Sequence, residues 1–496
     1  MSQESELKLL IDPAQRDAVL KLCARFADGA EPESFQLTNS YFDTDDLRLR
    51  QFDMGLRIRT RGQEREQTIK LAGEVLGGMH KRPEYNVVVQ NETPDLALFE
   101  SDIWPDEFPL FDIQRDLHEI FCTDFTRHRW HVPSGEGRIE VVVDEGEIRA
   151  GDKTRPICEV ELEVQGGLST DAYKMARRLI TRVQACVGSQ SKAARGYLLA
   201  QKTVLEPFTQ AHFVPLDDHD DIGAGLYKAL TYALHYWQHN DSCLREQPSV
   251  RAVAGITDGI RLSRVVLQQL AQLEVDVADY IVRLEQMLGH LGWLSRYDGL
   301  TELTAEDGAY HRALKQYPKL YEHIQEQQEH SVQMELVIEL SKRDDYQMTL
   351  LELGELCFDQ PRHESLMNAP LQQWATQRLR EDWQVVAETF ARDQEWRAEH
   401  YLKQLSPLQG SLQLGYCVGA IFPTEDREQF RAPWLDMVRG IREIMALKLL
   451  REAIKDTDEV NTEKLLAWQT VQLETLLFAL NHSRRAALKQ EPYWDA

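Results

Sequence analysis

Ile157-Cys158-Glu159-Val160-Glu161-Leu162-Glu163-Val164-Gln165 sets a carboxylate at every second position, with an apolar residue between each pair. Successive side chains of a β-strand point to opposite faces, so Glu159, Glu161 and Glu163 share one face and Val160 and Leu162 the other. One such strand is ordinary on a protein surface. The pattern recurs, however. Glu4, Glu6 and Lys8 alternate with Ser5 and Leu7, and Arg57 and Arg59 with Leu56 and Ile58. Thr68 and Lys70 flank Ile69, Arg82 and Glu84 alternate next, and Arg127 and Arg129 follow. A solvated outer face would have to arise independently on six strands. The alternative is a barrel whose apolar residues face surrounding helices and whose charged residues face the lumen. Such a lumen is costly unless its charges pair or a charged ligand fills it.

Short alternating runs separated by Gly, Pro or Asp continue to about Lys202. They are interrupted by helical pieces at 13–27 and 170–187, the second opened by Ser169 or Thr170 as a cap. Seven or eight antiparallel strands predict a closed or nearly closed barrel over residues 1–202. Residues 203–219 hold two prolines and an acidic run and read as a linker. From 220 to 496 the apolar residues recur at helical spacing, which predicts an all-α bundle. The fold class expected is therefore α+β, a β-barrel with flanking helices followed by the bundle. His235 and His239, four apart, read as part of a plain amphipathic helix.

The chain has 496 residues and a formal net charge of −25, and residues 203–496 carry 29 Lys and Arg against 46 Asp and Glu. This balance argues against nucleic-acid and anionic-membrane partners, so an anion site has to be a local gathering of cations. No apolar stretch approaches the ~20 residues of a membrane span, and the start lacks a secretory pattern. The seven cysteines are scattered with no CxxC pair. They read as reduced thiols of a cytoplasmic protein, without a zinc site.

The recurrent charges divide by chemistry. Lys8, Arg57, Arg59, Lys70, Arg82, Arg127 and Arg129 form a cationic set suited to phosphate oxygens. Glu4, Glu6, Glu159, Glu161 and Glu163 form a set of hard oxygen donors suited to Mg²⁺ or Mn²⁺. A polyphosphate with bound metal satisfies both.

These residues resemble the CYTH superfamily, the triphosphate tunnel metalloenzymes, over about residues 1–202. The resemblance rests on Glu4-x-Glu6-x-Lys8, the Tyr41-Phe42-Asp43-Thr44 turn, Leu56-Arg57-Ile58-Arg59 and Thr68-x-Lys70. It continues through Arg82-x-Glu84, Asp144, Glu159-x-Glu161-x-Glu163 and the stretch Ser191 to Tyr197. It implies an eight-stranded antiparallel tunnel that hydrolyses inorganic triphosphate. Glu4, Glu6, Glu161 and Glu163, with Glu159 and Asp144, would hold one or two divalent cations. Lys8, Arg57, Arg59, Lys70, Arg82, Arg127, Arg129, Lys192 and Arg195 would grip the substrate, the last two from a plug at one mouth. Glu4, Glu6 and Lys8 would take part in catalysis, and no single general base stands out among the coupled carboxylates.

The remainder resembles the CHAD domain, a helical module whose partner here is unknown. Residues 249–264 keep Arg261 and Arg264 but lack the histidine and most of the basic run of that family. This departure speaks against binding of long-chain polyphosphate. Thiamine triphosphatase, class IV adenylate cyclase and a triphosphate-binding module without turnover are the alternatives.

Overall fold

The structure is a computed structural model that describes residues 2–308, 310–392, 395–457 and 462–495. Its strands in chain order are β1 (Ser2–Leu10), β2 (Glu33–Asp43), β3 (Gly55–Arg61), β4 (Glu64–Lys70) and β5 (Glu74–Leu76). They are followed by β6 (Met79–Val88), β7 (His118–Ser134), β8 (Gly137–Ala150), β9 (Lys153–Gln165) and β10 (Cys186–Val187). Eight of them close into an antiparallel barrel in the order β1-β9-β8-β7-β2-β3-β4-β6, because β6 returns to pair with β1. The short β5 and β10 are additions to β6 and β1.

Register turns the alternation of each strand into two separate faces. Lys8 lies opposite Glu161, Glu6 opposite Glu163 and Glu4 opposite Arg82. Arg57 lies opposite Thr68, Lys70 opposite Glu84, and Arg127 opposite Asp144, itself opposite Glu159. Directly opposed residues share a face, so the charges gather on the inside. The apolar face turns outward and is covered. Leu56, Ile58 and Ile69 pack with Leu96, Phe99, Ile103 and Ile113 from the segment joining β6 to β7. Helices Arg16–Phe26 and Ser169–Val183 cover other strands of the barrel. The second of these begins at Ser169 itself, with Leu168 at the cap position and no side chain capping it, and it stops at Val183 rather than at 187.

The chain divides into two compact units that do not follow its order. The first comprises residues 1–207, 241–247 and 340–358, and the second residues 208–240, 248–339 and 359–496. Within the first unit, segment 340–358 fits closely against the β5–β6 turn. A Cβ on Gly77, whose φ is 57°, would lie 2.5 Å from Gly354 Cα, so both backbones need glycine there. Lys81 Nζ sits 3.9 Å from the Phe358 ring centre, and Arg177 reaches Glu352 and Glu355. The second unit is built of long helices, among them Val250–Gln272, Leu371–Phe390, Ala398–Val418, Thr424–Asp456 and Thr462–Ala487. Its described residues contain no strand.

Candidate functional site

The barrel encloses a cavity of about 930 Å³. Its floor is an ion-pair cluster. Lys8, 2% exposed, lies 3.1 Å from Glu159 and 3.5 Å from Glu6, and also bonds Glu161. Lys192 sits 2.6 Å from Asp144 and 3.0 Å from Glu161, and also bonds Glu159, which in turn accepts from Arg195. Arg127 grips Asp144 with two hydrogen bonds, Nε at 2.8 Å and Nη2 at 2.6 Å, and reaches Glu161 at 2.9 Å. Burial alone would raise the Glu159 carboxyl, but Arg195, Lys192 and Lys8 outweigh it and bring it down to about 2. Glu161 is likewise held well below the carboxylate range against its burial, by Lys192, Lys8 and Arg127. Oxygens of Asp144, Glu159 and Glu161 lie within 4.8 Å of one another, close enough to share a cation. Four side-chain cations already surround them.

The plug implied by the sequence is the helix Lys192–Leu199, which starts where Ser191 Oγ accepts the Ala194 N–H at 3.1 Å. Its Gly196 packs so tightly on the Phe121 ring that a Cβ there would overlap it. Leu37, Tyr41, Phe121, Phe125 and Tyr197 form an apolar core beside this helix.

The walls are less evenly matched. Lys70 bonds Glu4 and lies 2.7 Å from Glu84. Burial pushes Glu4 up to about 7 against the pull of Lys70, with Glu6 and Glu84 adding to the rise. Burial also raises Glu163, which accepts from Gln165 at 3.2 Å, while Glu140 and Glu6 press on it. Three guanidiniums are more loosely matched among the described residues. Arg59 bonds Asn39 Oδ1 at 2.9 Å, and burial together with Arg57 and Arg127 lowers it to about 10. Arg82 bonds His80 Nδ1 at 3.0 Å, and Arg57 pairs with Glu84 at 3.7 Å. Toward residues 33–35, Glu33 pairs with Arg61 and Arg129, and Arg61 stacks 3.8 Å over the Phe35 ring.

Of the residues singled out in the sequence, Glu4, Glu6, Lys8, Arg57, Arg59, Lys70, Arg82, Arg127, Arg129, Glu161, Glu163 and Lys192 line the cavity. Asp144, Glu159 and Arg195 lie behind the lining, in the floor cluster. The sequence reading missed His80, which is 1% exposed. Its Nε2 meets Gly188 O at 2.9 Å and so carries the proton, leaving Nδ1 to accept from Arg82. Extending the Arg82–Glu84 alternation one step back would have found it. Glu140, which also lines the cavity, lies four residues before Asp144 on the same strand face. His235 and His239 do not converge on a ligand, since their ring centres are 6.5 Å apart and Phe208 stacks on His239.

Residues 2–197 match the CYTH domain family. Over 207 residues the chain is 38% identical to an inorganic triphosphatase of Haemophilus influenzae, which is 41% of this chain and 57% of that protein's length. The chain thus spans little more than half of that relative. Among solved structures, a putative adenylyl cyclase from Hippeastrum, described as having a dominant triphosphatase activity, is 19% identical with a TM-score of 0.31. The match covers 39% of this chain and 95% of that one. The CHAD domain of Ricinus communis is 14% identical with a TM-score of 0.41, covering 58% and 94%. Among the described residues no helix is long and apolar enough to cross a membrane.

Proposed function

We propose, from the match of residues 2–197 to the CYTH domain family, that the barrel hydrolyses inorganic triphosphate to pyrophosphate and phosphate. The observation that carries this reading is the uneven pairing of the lumen. Among the described residues the floor cations bond carboxylates directly, whereas Arg57 meets Glu84 at 3.7 Å, Arg59 bonds Asn39 and Arg82 bonds His80. Guanidiniums desolvated in this way lower their free energy by accepting a polyanion, and each presents several donors to phosphate oxygens.

In this reading Arg57, Arg59, Arg82, Lys70, Arg127 and Arg129 orient the phosphate chain, and Lys8 and Lys192 oppose negative charge at the floor. Charge spread over the phosphoryl oxygens is what the protein must stabilise, so fixed cations do most of the work. Asp144 and Glu159, off the lining and surrounded by cations, keep Lys8, Lys192, Arg195 and Arg127 in place. Glu4, Glu6, Glu161 and Glu163 line the cavity as hard oxygen donors, and the raised Glu4 and Glu163 carboxyls fit a site short of positive charge. They would hold the divalent cation. Mg²⁺ or Mn²⁺ there would supply Lewis-acid neutralisation of phosphate oxygens. Residues 220–496 stand in this reading as a CHAD-like domain behind a linker at 203–219, in a protein of the cytoplasm.

The test is phosphate release from inorganic triphosphate, ATP and thiamine triphosphate, each with Mg²⁺, Mn²⁺ or EDTA, for wild type and Glu6→Gln. Metal-dependent turnover of inorganic triphosphate, lost in the variant, is expected. Tight binding of triphosphate without release under any condition would replace the hydrolase by a binding module.

A further inference from the structure

The helix that carries Lys192 and Arg195 is reached through residues 186–191, and this short passage is held from three directions. Val187 lies opposite Leu9 of β1, and Gly188 N–H donates to Lys8 O at 3.0 Å. His80 donates to Gly188 O. The third hold comes from far along the chain, in segments 241–247 and 340–358 of the same compact unit. Gln347, fully buried on the helix Asp344–Asp359, accepts the Val187 N–H through Oε1 at 2.7 Å and donates through Nε2 to Ser341 O. Ser242 Oγ meets Ser189 Oγ at 2.6 Å.

Both ends of the Gln347 amide are committed, so it acts as a spacer of fixed length between Ser341 and Val187. The Val187 N–H is buried, and a buried amide stays paired wherever a partner exists. Five residues after Val187, Lys192 must land on Asp144, Glu159 and Glu161 within hydrogen-bond distance. We propose that Gln347 is a positioning residue for the lumen: by holding Val187 it fixes the passage 187–191, and with it Lys192 and Arg195 against the floor carboxylates. This rests on the triphosphate reading of the lumen.

The test uses the full chain and three variants. Gln347→Leu keeps a similar volume but removes the acceptor. Gln347→Glu keeps an oxygen for Val187 but loses the donor to Ser341 O, so it frees one end of the spacer. Arg155→Ala severs the Arg155–Glu246 pair, 2.7 Å apart in the same unit, without touching residues 186–191. The readouts are amide exchange over residues 187–196, calorimetric affinity for inorganic triphosphate without divalent metal, and kcat and KM with Mg²⁺. Gln347→Leu is expected to speed exchange at residues 187–196 and to weaken triphosphate roughly tenfold, Gln347→Glu, which keeps the Val187 acceptor, to lose less than Gln347→Leu, and Arg155→Ala to match wild type. Should Gln347→Leu not fold, Gln347→Asn, whose amide falls short of Val187, carries the comparison. Wild-type affinity and exchange in the folded variant would overturn the proposal, and so would an equal loss in Arg155→Ala. A wild type that binds triphosphate without hydrolysing it removes the hydrolase reading and leaves this one standing. If it binds none, exchange at residues 192–196 decides alone.

Discussion

The Lys192 ammonium lies 2.6 Å from Asp144 Oδ2 and 3.0 Å from Glu161 Oε1, so a residue of the plug helix completes the charge balance of strands β8 and β9. Lys192→Met would leave these buried carboxylates one cation short. Breaking one side of a buried pair costs about 3 kcal/mol or more. Urea unfolding of the variant is expected to show a loss of that order at neutral pH.

Arg59 presents the opposite case. Its guanidinium is held without a carboxylate partner, and its pKa is lowered by burial and by neighbouring arginines. Arg59→Gln keeps a donor for Asn39 and removes an unanswered charge. Chain stability is expected to hold or rise, while triphosphate affinity falls about tenfold or more. Thermal melting and calorimetry on the same sample check both signs.

Glu4 gives a pH dependence with a definite sign. Its folded pKa of about 7 lies above the ordinary 4.5 because burial outweighs Lys70. Between those values the folded chain holds more protons than the unfolded chain, so metal-free stability falls as pH rises from about 4.5 to 7. The steepest slope that one such group adds is roughly 1.4 kcal/mol per pH unit. Denaturant titrations in EDTA across that window should show this decline in wild type and its loss in Glu4→Gln.

Gly196→Ala probes the plug. The added methyl would overlap the Phe121 ring, and overpacking of this kind costs about 1–3 kcal/mol. Because the same helix carries Lys192 and Arg195, triphosphate affinity is expected to fall along with the melting temperature. An unchanged affinity would mean that the helix moves without disturbing its cations.

The alternation of charge and hydrophobicity along single strands made the lumen legible. Glu159, Glu161 and Glu163 had to share a face whatever they met. What they met was not legible. Lys8 opposes Glu161 across a register that joins residues 153 apart in sequence, and no local pattern encodes that distance. The sequence grouped Asp144 and Glu159 with the metal ligands, and the structure brings their oxygens within 4.8 Å of each other and of Glu161 while setting side-chain cations around them. Helical periodicity likewise predicted helices across 220–496 without saying what their buried faces would meet, so Gln347 gave no signal. His80 lay one step back along the Arg82–Glu84 alternation, on the same face, but the pattern was read only from Arg82 onward.

The barrel closes at β1, which pairs with β6 on one edge and β9 on the other. During synthesis β1 is made well before either neighbour, and its second edge waits until residues 159–163 have emerged. Until then one edge of β1, with alternating Leu7 and Leu9, stays open, the kind of edge that recruits foreign chains. Glu4, Glu6 and Lys8 place like and unlike charges along the same edge, which disfavours that recruitment. The lumen charges of β1 therefore also lie on the strand whose second edge is the last to be covered.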